Sequence, residues 1–143
     1  FNTPCGKYKN PDIVNEERIR VIHEYLSTKR IDIRCGDYKD ALKHIRSGAF
    51  VYFDPPYMPL ENGTETFTSY TVDGFGKEKQ LELKTVCDKL TEKGVKFMLS
   101  NSYCSFIREL YKDYNIRTVK ARRNVSTDIG KRILIDEVLV TNY

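Results

Sequence analysis

The stretch Phe50-Val51-Tyr52-Phe53-Asp54-Pro55-Pro56-Tyr57 decides how this 143-residue chain is read. Its first half is a short unbroken apolar run, the pattern of a strand covered on both faces. Its second half cannot continue a strand, because Pro55 and Pro56 lack N–H groups and have a fixed φ. Asp54 precedes a proline and is therefore pushed toward an extended backbone. A rigid elbow results, offering a carboxylate, two proline carbonyls and an aromatic ring at a strand end. A bare Asp-Pro is a common strand stop. The second proline and the aromatic residue point past punctuation to a functional site.

Around this elbow the chain alternates between strand and helix patterns. Asn15 is placed to cap a helix whose first turn holds Glu16 and Glu17, favourable at a positive helix end. Ile19, Ile22 and Leu26 fall on one face of it. Ile31-Asp32-Ile33-Arg34-Cys35 alternates like a strand, Gly36-Asp37-Tyr38 turns, and a helix over 37–46 is closed by Gly48. Residues 54–76 read as a long polar loop, a length that usually signals function or mobility. Leu83, Val86, Cys87 and Leu90 have helical spacing, and Gly94 stops that helix. Strands at 95–99, 116–120 and 133–141 follow, with a short helix carrying Phe106, Ile107 and Leu110 after the first of them. The alternation predicts an α/β fold with a mostly parallel sheet and a closing antiparallel strand pair.

Composition narrows the class without deciding it. A 40% hydrophobic content suffices for one core, and a formal charge of +4 leans mildly toward a nucleic-acid partner. Cys5, Cys35, Cys87 and Cys104 form no C-x-x-C pair, which suits a reducing, cytoplasmic compartment. No metal set is expected, since His23 and His44 sit on helix-like segments as solvated residues. No apolar run is long enough to span a membrane. The chain starts at Phe1-Asn2-Thr3 with neither Met nor an element build-up, and is expected to be cut from a longer protein.

The elbow suits chemistry on an exocyclic amine. The lone pair of such an amine is delocalised into its ring, so the nitrogen is a weak nucleophile. Fixed acceptors for its two protons let it become tetrahedral and aim the lone pair at a methyl donor. The Asp54 carboxylate and a neighbouring proline carbonyl are such acceptors, and Tyr57 offers a face for stacking. Stacking is worth roughly 1–3 kcal/mol per base, comparable with the few kcal/mol needed to extract a base from a duplex. No cysteine is placed to attack a ring carbon. Ser102 and Ser105 read as helix caps rather than nucleophiles, for neither a His nor an acid accompanies them.

Asp54-Pro55-Pro56-Tyr57 resembles the catalytic motif of S-adenosylmethionine-dependent amino-methyltransferases. More of the chain is similar to the Dam/DpnM-type DNA adenine-N6 methyltransferases, the D12 class. Phe1-Asn2-x-Pro4-x-Gly6-x-Tyr8-Lys9 resembles the end of that family's target-recognition region, Phe67-Thr68-x-Tyr70 its post-catalytic stretch, and Leu99-Ser100-Asn101 its next strand end. The resemblance implies a Rossmann-like methyltransferase fold. It also implies methyl transfer from S-adenosylmethionine to adenine N6 in double-stranded DNA, commonly within GATC, with base flipping.

The residues divide accordingly. Residues 1–10 would close the target-recognition segment and 11–143 would form the carboxy-terminal part of the catalytic domain. Asp54 would position the amine and touch the cofactor, with Pro55 and Pro56 shaping the motif and Tyr57 holding the flipped base. Asp37 and Tyr38 match a turn that receives the cofactor's adenine, a helix cap at Asp37 being the other reading. Asn2, Lys7, Tyr8 and Lys9 would meet DNA phosphates and Pro4 would pack near bases; for Lys7 and Lys9 solvated loop charge is the alternative. Arg117, Lys120, Arg122, Arg123, Lys131 and Arg132 admit the same two readings. The family's Gly-rich cofactor loop and an amino-terminal Lys precede the matching segment, so the implied partner is an amino-terminal half of the same protein, and the isolated chain is expected to be inactive. Two rivals remain: an amino-methyltransferase acting on RNA or a protein amide, and a non-catalytic remnant of the fold.

Overall fold

The computed structural model describes residues 14–28, 30–60, 75–122 and 134–143. Helix α1 (Glu16–Thr28) starts where the Asn15 side chain accepts the Arg18 N–H, 3.2 Å away, so the sequence-based cap is correct. Helix α2 (Tyr38–Leu42) is shorter than its pattern suggested. Strand β1 (Phe50–Phe53) leads through the elbow and on to helix α3 (Lys77–Glu92). Gly94, at φ +71°, ends α3 in the left-handed conformation that favours glycine, and its N–H closes onto the Thr91 carbonyl. Strand β2 (Lys96–Ser102), helix α4 (Ser105–Leu110), strand β3 (Asn115–Arg122) and strand β4 (Leu134–Thr141) complete the order.

The sheet runs β1-β2-β4-β3. Among the described residues only β1 and β2, the pair joined through α3, are parallel. β4 slots between β2 and β3 and is antiparallel to both, so the expectation of a mostly parallel sheet is corrected to a mostly antiparallel one. The closing antiparallel pair is present. A second correction concerns 31–35, which alternate like a strand yet pair with none among the described residues. Alternation marks a half-buried strand only when a face is covered, and Ile33 is 74% exposed.

Period-two alternation sorts the sheet into two faces. Phe53, Phe97, Leu99, Val138 and Val140 lie on one, buried against Leu83, Cys87 and Leu90 of α3. Ile107 and Tyr111 extend this core from α4 and the turn after it. The other face carries Tyr52, Ser100, Ser102 and Glu137 near the carboxyl end of β1. Ile19, Ile22 and Leu26 of α1 do share a face, but each is exposed among the described residues.

Candidate active site

β1 stops at Phe53, whose buried ring meets Tyr38 edge-on at 6.2 Å and Phe97 at 6.4 Å. One residue later the chain presents Asp54 on the opposite face. There the Ser100 hydroxyl donates to Asp54 Oδ1 at 2.9 Å and accepts from the Tyr52 hydroxyl at 3.1 Å. The parallel register explains the meeting. Phe53 pairs with Leu99, so the next residue on each strand is Asp54 and Ser100.

Tyr57 returns over the same face, and its hydroxyl donates to Glu137 Oε2 on β4 at 3.3 Å. Burial, reinforced by the negative groups of Glu137 and Asp54 and partly offset by a Ser100 hydrogen bond, pushes the Tyr57 phenol up to about 12. The ring is therefore neutral at ordinary pH, and its tilt is tied to β4.

The backbone of the elbow is held from the α3 side. Gln80 Nε2 donates to the Pro56 carbonyl at 3.1 Å, and Gln80 Oε1 accepts from Asn101 Nδ2 at 3.1 Å. Asn101 Oδ1 accepts the Met58 N–H at 3.0 Å, and the Ser102 hydroxyl donates to the Met58 carbonyl. Ser102 thus fastens the elbow; it does not cap α4, whose N-cap is Cys104. The Pro55 carbonyl accepts no hydrogen bond among the described residues.

The second sequence candidate stands close by. Asp37 has extended backbone angles and accepts the Lys39 N–H at 2.9 Å, so it caps α2 as its alternative reading required. Tyr38 packs on Phe53, the residue before Asp54, and its buried hydroxyl has no partner among the described residues. Burial also raises its phenol. The Asp37-Tyr38 turn and the elbow are thereby brought together at the carboxyl end of β1.

Asn2, Pro4, Lys7, Tyr8 and Lys9 lie outside the described residues, as do Phe67, Thr68, Tyr70, Arg123, Lys131 and Arg132. Lys120 is paired with Asp136 at 2.6 Å, which favours its ordinary surface reading. His23 and His44 are exposed, and no metal-binding group occurs among the described residues. No described helix is long and apolar enough to cross a membrane. Sequence reasoning missed Gln80 and Glu137. Gln80 carried a signal, since it sits at helical spacing with Leu83, Cys87 and Leu90, a polar residue on an apolar stripe.

Comparison with known proteins agrees with this geometry. The family model described as D12 class N6 adenine-specific DNA methyltransferase matches residues 1–125. The Type II methyltransferase M1.LlaDCHI of Lactococcus lactis subsp. cremoris is 48% identical over the whole of this chain and 50% of its own length. The Type II methyltransferase M.MjaIII of Methanocaldococcus jannaschii is 42% identical, over 100% of this chain and 49% of its own. The DNA adenine methylase of Escherichia coli (strain K12) is 32% identical over 97% of this chain and 49% of its own. The chain spans about half the length of the curated relatives it matches. A family match over most of the chain, on residues that include the whole elbow, places it in one group: the chain belongs to the D12 class of N6 adenine-specific DNA methyltransferases.

Proposed function

We propose that this chain carries the amine-activating half of an enzyme that methylates adenine N6 in double-stranded DNA. The observation that carries the reading is the division of labour among polar atoms at the elbow. Ser100 occupies Asp54 Oδ1 and Gln80 occupies the Pro56 carbonyl. That leaves Asp54 Oδ2 and the Pro55 carbonyl as fixed acceptors, two acceptors for the two protons of an exocyclic amine. Both are held in place before substrate arrives, the preorganisation that lowers a barrier without reorganisation cost.

Tyr57 lies beside them with its hydroxyl tethered to Glu137. A neutral ring fixed at one end offers a face to an extruded base, which fits base flipping. The base must leave the duplex because a carboxylate at a sheet edge cannot reach an amine inside the stack.

The cofactor is S-adenosylmethionine, which supplies a methyl group activated by sulfonium sulfur. The site suits it: Tyr38 has a buried hydroxyl without a partner among the described residues, against the residue that precedes Asp54. Asp37, Tyr38 and Asp54 are the residues here that would hold it. Asn2, Pro4, Lys7, Tyr8 and Lys9 are proposed DNA contacts, with residues 1–10 ending the target-recognition segment and 11–143 forming the catalytic part. Recognition of GATC within a type II restriction-modification setting is the finer expectation, supported by relatives named Type II methyltransferase and DNA adenine methylase. The remainder of the protein, corresponding to the other half of those relatives, would be needed for turnover.

Tritium transfer from labelled S-adenosylmethionine, run in parallel on DNA, RNA and protein with the complete protein, tests the reading. Label in adenine of duplex DNA alone is expected. Label in RNA or in a protein amide would replace it with the rival activity.

A further inference from the structure

The Gln80–Asn101 pair is costly to explain by packing alone. Gln80 and Asn101 are both fully buried, on a face otherwise built of Leu83, Cys87, Phe97, Leu99 and Val138. A buried amide costs free energy unless its hydrogen bonds are made, and apolar residues of the same shape would fill the space without that cost.

Here each amide is bonded, and the bonds that reach beyond the pair lead chiefly to one segment. Gln80 Nε2 holds the Pro56 carbonyl and Asn101 Oδ1 holds the Met58 N–H. Those are the backbone groups on either side of Tyr57. Asn101 Oδ1 also accepts the Ser102 N–H at 2.9 Å. The amide orientations are settled by this closure: turning Gln80 over would set donor against donor at the Asn101 contact, and turning Asn101 over would set acceptor against acceptor there and donor against the Met58 and Ser102 N–H groups.

We propose that Gln80, backed by Asn101, is a positioning residue for methyl transfer. Its grip on the Pro56 carbonyl locks the backbone beside Tyr57 and reserves the Pro55 carbonyl for the amine. Gln80 touches no reacting atom. It acts through the elbow, from the far side of the sheet. The neutral amide achieves this without placing a second charge beneath Asp54. The inference rests on the amine-activating reading of the elbow given above.

The test uses the full-length enzyme and separates positioning from general stability. Gln80→Met keeps length and volume but loses both hydrogen bonds. Gln80→Glu keeps an acceptor for Asn101 and, when ionised, loses the donor to Pro56. Leu83→Ala, one turn along the same buried face, is the control for loosening of the core. A misplacement of about 1 Å can cost on the order of 100-fold in rate. Single-turnover kcat of Gln80→Met and Gln80→Glu, normalised to folded protein, is therefore expected to fall roughly 10–100-fold. Affinities for duplex DNA and S-adenosylmethionine should stay within about twofold, while Leu83→Ala lowers Tm and keeps kcat. The proposal is overturned if kcat of Gln80→Met, or of Gln80→Glu at a pH where its carboxyl is ionised, stays within twofold of wild type, or if Leu83→Ala loses as much kcat as they do. Should Gln80→Met fail to fold, Gln80→Leu, which lacks both hydrogen bonds and cannot titrate, takes its place. Failure of the underlying reading looks different, because wild type itself would then transfer no methyl group to adenine.

Discussion

Ser100 Oγ donates to Asp54 Oδ1 across 2.9 Å, joining strand β2 to the elbow that ends β1. The bond restrains the carboxylate through Oδ1, on a side chain that is otherwise exposed. In the complete protein, Asp54→Ala should abolish methylation while leaving the fold intact, since Asp54 is exposed and its loss opens no core cavity. Ser100→Ala should keep activity but lose roughly 10–100-fold in kcat, the worth of a hydrogen bond to a charged group at about 1.5–3 kcal/mol. Steady-state methylation of a duplex substrate measures both. Activity of Asp54→Ala within tenfold of wild type would sink the assignment.

Tyr57 makes two separable contributions, a ring face and a hydroxyl tied to Glu137. Tyr57→Ala removes both and should weaken binding to an extruded base by roughly 1–3 kcal/mol. Tyr57→Phe keeps the face and should retain much of the activity, with the loss confined to ring orientation. Fluorescence of 2-aminopurine at the target position reports base extrusion in each variant. Equal damage from Phe and Ala would show that stacking is the wrong explanation.

The part of this site legible in sequence was the part made of neighbours. Asp54, Pro55, Pro56 and Tyr57 are contiguous, and proline's backbone constraints act locally, so the strand stop and elbow needed no tertiary information. The Asn15 and Asp37 caps and the Gly94 stop were readable for the same reason. Strand direction was not. Whether β4 lies parallel or antiparallel to β2 depends on where it inserts, and its insertion between β2 and β3 leaves no mark on its own residues. The Ser100 and Gln80 contacts span 46 and 24 positions, and only the folded register brings them to the elbow. Residues 31–35 show the converse error: local alternation was present, but no partner strand among the described residues makes use of it.

Alkaline pH should unfold the protein through its buried acids. Burial pushes Tyr57 and Tyr114 from 10.0 to about 12 and Cys87 from 9.0 to about 12, and raises Tyr111 as well. In the unfolded chain these groups release protons around pH 9 to 10; in the folded chain they hold them until near 12. The folded state therefore binds more protons across that interval, and stability falls as pH rises. Their contribution is complete below about pH 9 and is lost on approaching 12. Thermal melts at increasing pH should show a declining Tm, with tyrosinate absorbance appearing as the chain unfolds. Tyrosinate absorbance that rises fully near pH 10 without unfolding would mean these rings are not buried.

Lys7 and Lys9 can be tested as DNA contacts without any structural assumption about them. Phosphate contacts release counterions, and each contributes roughly 0.9 to the log–log slope of affinity against salt. Replacing both with Ala in the full enzyme should weaken binding to every duplex alike and flatten that slope by about 2. Fluorescence anisotropy across a salt series gives the slope directly. An unchanged slope would assign both lysines to the solvated loop.

The polypeptide of these 143 residues, purified alone, should self-associate. Among the described residues β1 is an edge of the sheet, with one side of its ladder open to another strand. On that strand Phe50 is 56% exposed and Tyr52 55%, and Ile33, in the segment before α2, is 74% exposed. α1 adds Ile19, Val21 and Ile22, each more than half exposed, on a helix with no buried residue. Large apolar side chains left exposed on an open strand edge and on one helix favour association in an isolated polypeptide. Sedimentation velocity over a concentration series should show a mass-average that rises with concentration. Phe50→Lys with Ile22→Lys should return the protein toward monomer, because charge on an edge strand and on an apolar helix face opposes both modes of pairing. Neither substitution touches the α3-side core, so Tm should change little. A strictly monomeric wild-type polypeptide at high concentration would show that β1 and α1 are covered in solution by the chain itself.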